Sequence, residues 1–98
     1  MDLTSYIEYL QLEKNYSSHT ILAYEKDLNQ FNSFLREEGV QEVNEVNYSL
    51  IRSWVTSLLE NGGSNRTVNR KMSSLKSYFK FLLKVGEITS SPAASYKS

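Results

Sequence analysis

The chain has 98 residues, with 11 basic and 11 acidic side chains, one histidine and no cysteine. This length fits one domain with a single core. The absence of cysteine excludes disulfides and thiolate metal sites, and the single His19 excludes a multi-histidine zinc site. No apolar run approaches the roughly 18 residues of a membrane span, and the N-terminus lacks the pattern of a signal peptide. We therefore expect a cytoplasmic domain that uses no metal or cofactor and contacts no membrane.

The two parts of the chain carry opposite charge. Residues 1–60 contain four basic and ten acidic side chains, a net charge of −6, whereas residues 61–98 contain seven basic side chains and one acid, a net charge of +6. The neutral total therefore hides a cationic end. On charge alone, a solvated helix face beside an acidic neighbour explains this pattern as well as a ligand site does.

The first predicted helix lies near the N-terminus, where apolar residues follow the i, i+3, i+4, i+7 spacing. Thr4 is its predicted cap, and the helix fades around Asn15. Its apolar stripe consists of Leu3, Tyr6, Ile7 and Leu10.

The second predicted helix is longer, capped by Ser17 or Ser18 and ended by Gly39 in the left-handed conformation. Its apolar stripe consists of Ile21, Tyr24, Leu28, Phe31 and Leu35. Residues 40–46 read as a connecting loop whose valines pack onto the core.

Two further helices and a polar tail complete the prediction. Asn47 caps the third helix, whose stripe consists of Ile51, Trp54, Val55, Leu58 and Leu59. Ser64 caps the fourth, which Gly86 closes and whose stripe consists of Val68, Met72, Leu75, Phe79, Leu82 and Leu83. Residues 89–98 hold the only proline and read as a linker or frayed tail. The predicted fold class is all-α, with four helices around one core.

The face of the fourth helix opposite its apolar stripe is basic. At 100° per residue it holds Arg66, Arg70, Ser73, Ser77, Lys80 and Lys84 over nearly 30 Å, with no acid. Ordinary exposed helices alternate glutamate with lysine. Here hydroxyl groups, which can donate to phosphate oxygens, fill the gaps. Arg66 and Arg70 suit base contacts near the helix N-terminus, and Lys80 suits phosphate. A basic surface helix without a ligand is the alternative.

The start of the second helix is a second candidate surface. Ser17, Ser18, His19 and Thr20 place three hydroxyls and an imidazole at a helix N-terminus, where free N–H groups attract anions. Helix capping alone is the simpler explanation for Ser17.

Two segments of the chain share their residue spacing with a known family. In Leu12–Leu35 the matching positions are Ser17, Thr20, Tyr24, Asp27, Leu28, Phe31 and Leu35. In Asn65–Ala93 they are Arg70, Met72, Ser73, Leu75, Lys76, Tyr78, Phe79 and Gly86. Ser91-Pro92 departs from the commoner Asn-Pro. In this order and spacing, the chain resembles the N-terminal core-binding domain of tyrosine recombinases, the phage-integrase and Xer-like group.

The resemblance implies a four-helix, SAM-like bundle that forms half of a C-shaped clamp around double-stranded DNA, with its second and fourth helices facing the duplex. The expected DNA-binding residues are His19, Thr20, Lys26, Arg66, Thr67, Arg70, Ser73, Ser77 and Lys80. The family's catalytic residues belong to a C-terminal domain, so we expect none in this chain. Residues 1–88 would then form the core-binding domain, and residues 89–98 would begin the linker.

The resemblance also implies other recombinase protomers as partners of the full-length protein, with the isolated domain monomeric. Two other functions remain open. A helical protein–protein interaction module could use the acidic and basic parts of the chain as complementary faces, and salt-sensitive self-association without a response to DNA would favour it. A stand-alone helix-turn-helix regulator is the weaker option, because no dimerisation element accompanies the basic helix.

Overall fold

The computed structural model describes residues 2–96, which form four α-helices and one short 3-10 helix. The α-helices are α1 (Thr4–Leu12), α2 (Ser18–Glu37), α3 (Tyr48–Glu60) and α4 (Asn65–Lys84), and the 3-10 helix is Val43–Glu45. No strand occurs within residues 2–96. The predicted all-α, four-helix architecture is confirmed.

Three of the predicted N-caps are confirmed. The side chains of Ser17, Asn47 and Ser64 accept hydrogen bonds from backbone N–H groups three residues later, at 3.2, 2.9 and 3.1 Å. Each bond satisfies an N–H group that has no partner inside the helix. These caps set the start of α2, α3 and α4.

The start and end of α1 differ from the prediction. Leu3 is the N-cap residue, and Thr4 is already helical. The Asp2 carboxylate takes the capping role instead, accepting from the Thr4 backbone N–H at 3.0 Å and from its hydroxyl at 2.8 Å. These bonds from Thr4 lower the pKa of Asp2. The helix ends at Leu12, and Asn15 adopts a left-handed φ of 52° in the turn that leads into α2.

Glycine permits the two turns that precede and follow α4. Gly86 has a φ of 80°, which side-chain-bearing residues rarely adopt, and it follows the last turn of the helix as predicted. Gly63 lies between α3 and α4, where an added Cβ would stand 2.8 Å from the Leu58 carbonyl oxygen. Gly62, the residue before it, has a φ of 89°, so the Asn-Gly-Gly turn needs glycine at one position for its backbone conformation and at the next for close backbone approach.

The core lies between α2 and α4, with α1 and α3 packed on this pair. Its largest fully buried apolar side chains are Tyr6, Leu10, Leu28, Phe31, Ile51, Met72, Leu75 and Phe79. Six predicted stripe residues are not fully buried. Leu59 and Leu83 are 43% and 39% exposed, because they lie at the edges of the buried faces of α3 and α4. The other four are half-buried and pack against the core: Ile7, Tyr24, Val55 and Leu58.

The segments predicted as loop and tail also contact the core. Val46 is buried and Val40 and Val43 pack against the core, which confirms the predicted packing of the valines. The segment is not wholly a loop, because Val43–Glu45 form a 3-10 helix closed by a capping box between Glu42 and Glu45. In the tail Ala93 is fully buried and Tyr96 packs against the core, so residues 89–96 lie closer to the bundle than a frayed tail would. The domain boundary after residue 88 stays a prediction, and residues 97 and 98 lie outside the described residues.

Candidate nucleic-acid interface

The solvent side of α4 is cationic along its whole length. We define the basic face of α4 as Arg66, Arg70, Ser73, Lys76, Lys80 and Lys84, all of which are exposed. The opposite side of the helix is buried, because apolar residues recur there at a spacing of three and four. No acidic residue occurs anywhere in α4. The exposed cations predicted for this face are therefore present, but Ser77, also predicted there, is half-buried, and the exposed Lys76 belongs to the face instead.

A buried carboxylate joins α2 to the N-terminal half of α4. The side chain of Asp27 is 1% exposed. Its Oδ1 accepts from Arg70 Nη2 at 3.1 Å and from Lys71 Nζ at 3.2 Å, and its Oδ2 accepts from the Ser74 hydroxyl at 2.8 Å. Lys71 Nζ also donates to Gln30 Oε1 on α2. We call these five residues the Asp27 cluster.

Two cations of α4 contact Asp27, and they differ in their exposure to solvent. Lys71 is buried with its ammonium on Asp27, so it adds no charge to the basic face. The Arg70 side chain is 53% exposed, and only its Nη2 is bound to Asp27. A guanidinium has five N–H donors in a rigid plane. Arg70 therefore keeps donors that point away from Asp27 and remain available to a ligand.

The C-terminal half of α4 is supported by α1 instead. Ser77 is half-buried, and its Oγ accepts a hydrogen bond from the Tyr6 hydroxyl at 2.8 Å. Lys84 Nζ lies 4.8 Å from the centre of the Tyr9 ring and 3.6 Å from Glu13 Oε1. Within residues 2–96, Lys80 makes neither a hydrogen bond nor an ion pair. Lys80 is thus the less constrained cation in this half, whereas Ser77 already has a structural partner.

The remaining hydroxyls predicted as ligands on α4 also bond within the helix. The Ser73 hydroxyl donates to the Asn69 carbonyl oxygen at 3.1 Å. Thr67 is half-buried, and its Oγ1 accepts from the Ser64 hydroxyl at 3.1 Å, next to the capping bond. The proton of Ser73 is used in its bond, so Ser73 can still accept a hydrogen bond, whereas Thr67 keeps its own O–H proton and can donate it to a ligand oxygen.

The N-terminal part of α2 presents a smaller cationic surface. His19 and Lys26 are exposed and lie seven residues apart, so they share one face of the helix. Gln30, one turn beyond Lys26, contacts Lys71, which places this face next to α4. Thr20 belongs to the cap, because its N–H and Oγ1 both contact Ser17 Oγ. The structure therefore brings Lys26 toward the basic face of α4 and gives the Thr20 hydroxyl a partner in the capping residue Ser17.

Sequence reasoning missed the Asp27 cluster as a site. Asp27 entered only as a matched position, and Lys71 and Ser74 were not singled out. A signal exists: all three are polar residues on the buried sides of amphipathic helices, where an unpartnered polar group is costly. Complementary polar residues at such positions on two helices predict a buried contact.

Two further features are absent from residues 2–96, a metal-binding cluster and a membrane-spanning helix. These residues contain no group of three histidine, cysteine or acidic side chains able to hold a metal ion. In the same span, no helix combines the length and apolar character needed to cross a bilayer.

Comparison with known proteins identifies the family. The model of the phage integrase N-terminal SAM-like domain matches residues 3–86. The chain is 42% identical over 92 residues to tyrosine recombinase XerC of Anoxybacillus flavithermus, covering 94% of this chain and 31% of that protein. It is 40% identical over 87 residues to tyrosine recombinase XerC of Bacillus subtilis, covering 89% and 29%.

The matches extend along nearly all of this chain, which spans about a third of the length of the curated relatives. No solved structure matches it. The resemblance stated from the two sequence segments, and the SAM-like helical fold it implied, are confirmed. The chain belongs to the phage integrase N-terminal SAM-like domain family.

Proposed function

We propose that this chain is the DNA-binding domain of a tyrosine recombinase, which holds double-stranded DNA while a separate catalytic domain cleaves and rejoins the strands. The observation that carries the proposal is the basic face of α4, about 30 Å of exposed cations without a carboxylate on the same helix. The major groove of B-DNA is wide enough to admit an α-helix. The protein would act in the bacterial cytoplasm, on DNA and beside other recombinase protomers.

The arrangement of side chains suits DNA better than a small anion. Arg66 lies in the first turn of α4, the end from which recognition helices address bases. Lys80 and Lys84 lie farther along the same face, where they suit contacts with phosphate. His19 and Lys26 on α2 would extend the contact to the neighbouring backbone. The relatives named above are recombinases, which agrees with a DNA ligand.

Fluorescence anisotropy with a 20-base-pair duplex at several salt concentrations tests the proposal. Neutralising roughly four to six phosphates gives a slope of about −4 to −5 in a plot of log affinity against log salt. Lys80→Ala should weaken binding on all sequences and reduce that slope by about one. Arg66→Ala should also weaken binding.

Arg52→Ala is the matched control, because Arg52 is an exposed arginine on α3 and its loss changes the net charge equally. Equal effects of Lys80→Ala and Arg52→Ala would show that only net charge matters and would remove α4 from the interface. Salt-sensitive self-association with no response to DNA would instead support a protein-interaction module, which the opposite charges of residues 1–60 and 61–98 could build.

A further inference from the structure

We propose that Asp27 is a positioning residue that orients Arg70 toward DNA before the DNA binds. This inference rests on the proposed function and goes beyond it, since it assigns a role in recognition to a carboxylate on α2. Asp27 is too deeply buried to touch a ligand. Its effect on binding would pass through the Arg70 side chain.

The contacts around Asp27 fix the carboxylate itself. Both oxygens are used, because Oδ2 accepts from Ser74 while Oδ1 accepts from Arg70 and Lys71. Three bonds from one face of α4 leave the carboxylate a single orientation. An anchor held this firmly can fix the Arg70 guanidinium, whose Nη2 it binds at 3.1 Å.

The charges of the cluster leave Arg70 attractive to an anion. Asp27 and Lys71 are both buried and compensate each other, and Lys71 has Gln30 as a further partner. The charge of Arg70 is therefore in excess at the surface of the α2–α4 contact. Its guanidinium combines an anchored nitrogen with exposed donors, a geometry that suits the bidentate contacts arginine makes with guanine or phosphate.

Anchoring raises affinity because the side-chain entropy of Arg70 is lost when the protein folds and not when DNA binds. A freely rotating arginine loses side-chain entropy when it engages a ligand, which weakens binding by about 3- to 10-fold for one immobilised side chain. Arg66 on the same face is exposed and makes no hydrogen bond or ion pair within residues 2–96, so we expect its side chain to rotate more freely. The two arginines thus provide an internal contrast.

Loss of the anchor and loss of the negative charge should change DNA affinity in opposite directions when Asp27 is replaced. Removing Asp27 removes a negative charge near the DNA, so electrostatic attraction alone predicts equal or tighter binding. Loss of the anchor predicts weaker binding. The double substitution Asp27→Leu with Lys71→Met isolates the anchor, because it removes both acceptor oxygens, takes away one charge of each sign and leaves the net charge unchanged.

The experiment is a double-mutant cycle on duplex affinity at fixed salt. Asp27→Leu/Lys71→Met should bind DNA about 3- to 10-fold more weakly than the wild type. In an Arg70→Ala background the same pair of substitutions should change affinity by less than about 2-fold. Thermal unfolding shows whether each variant is folded, and a purely structural role would lower stability equally in both backgrounds without this coupling in affinity.

A second measurement needs no substitution. The side-chain Nε–Hε groups of Arg70 and Arg66 can be compared by NMR relaxation in the free wild-type protein, where Arg70 should be ordered and Arg66 mobile. Equal mobility of the two would overturn the inference, as would unchanged affinity of the charge-neutral double variant. A wild type that does not bind DNA would overturn the proposed function itself, which separates the two failures.

Discussion

The two halves of α4 present the same basic face but are supported in different ways. Residues 65–74 contact α2 through the Asp27 cluster, in which both oxygens of the buried carboxylate have specific partners. Residues 75–84 contact α1 through aromatic rings, with Tyr6 placed 5.3 Å from Tyr78 and 5.4 Å from Phe81 between ring centroids. Hydrogen bonds to a buried carboxylate are directional, whereas ring packing tolerates small shifts.

The two halves of α4 therefore suit different tasks: one orients an arginine, and the other carries cations that attract phosphate. The half supported by Asp27 holds an arginine in a defined direction, which suits the recognition of particular groups. The half supported by aromatic packing carries Lys80 and Lys84, whose ammonium groups suit the phosphate backbone at any sequence. A single face can therefore combine a fixed contact near the N-terminus of α4 with adaptable contacts farther along.

The largest effect should come from breaking the Asp27 cluster. Asp27→Ala leaves the buried Lys71 ammonium without its carboxylate, and removing one partner of a buried pair costs about 3–5 kcal/mol. Urea denaturation at pH 7 measures the loss. Glu37→Ala, an exposed acid on the same helix, should change the free energy of unfolding by less than about 0.5 kcal/mol. A loss below about 1 kcal/mol for Asp27→Ala would contradict the importance of the cluster.

The aromatic packing of residues 75–84 should make the free energy of unfolding depend on pH in the alkaline range. Burial, with smaller contributions from the charges of Asp2 and Glu87, raises the pKa of Tyr78 to about 12. The pKa of tyrosine in the unfolded chain is about 10. Above pH 10 the unfolded state loses the Tyr78 proton while the folded state keeps it. The free energy of unfolding therefore falls between pH 10 and 12, by up to about 1.4 kcal/mol per pH unit from this group.

Tyr78→Phe removes that titration and supplies the test. Urea denaturation of the wild type and the variant from pH 9 to 12 should give a shallower decline for the variant above pH 10. Lysine titration affects both proteins, so it cancels in the comparison. Parallel curves over this range would show that the Tyr78 hydroxyl is not held neutral by the fold.

The smallest effect should come from the exposed pair at the end of α4. Glu13 and Lys84 are 63% and 58% exposed, and their charged atoms lie 3.6 Å apart. Such pairs contribute about 0.2–1 kcal/mol and are screened by salt. Glu13→Gln should therefore lower stability by less than about 1 kcal/mol, with the difference shrinking in 0.5 M salt. A loss comparable to that of Asp27→Ala would erase the contrast between the two halves.

Local signals explain what was predictable from the sequence. The caps at Ser17, Asn47 and Ser64 depend on residues three positions away, so a short stretch of sequence is enough to identify them. The apolar spacing identifies the buried face of each helix, so it also predicts which cations of α4 are exposed. The hydroxyls were less predictable, because Ser77 faces Tyr6, a residue 71 positions away.

Long-range contacts explain the rest. Asp27 forms hydrogen bonds with Arg70, Lys71 and Ser74, which lie 43 to 47 residues later in the sequence. The local sequence of α2 does not predict these partners. Ala93 likewise lies in a polar segment, and only tertiary contact makes it a core residue. The family resemblance marked Asp27 and Arg70 as matched positions without giving the reason, which the structure supplies as a contact between them.

The most direct test of the DNA-binding account is a backbone amide NMR titration of this protein with a non-specific 20-base-pair duplex at low salt, which detects even millimolar binding. The account predicts shifts clustered at residues 18–26 of α2 and residues 66–80 of α4, reversed when salt is added. Shifts that are absent, or that fall on α3 and residues 87–96 instead, would show that the basic face of α4 is only solvated and would contradict the account.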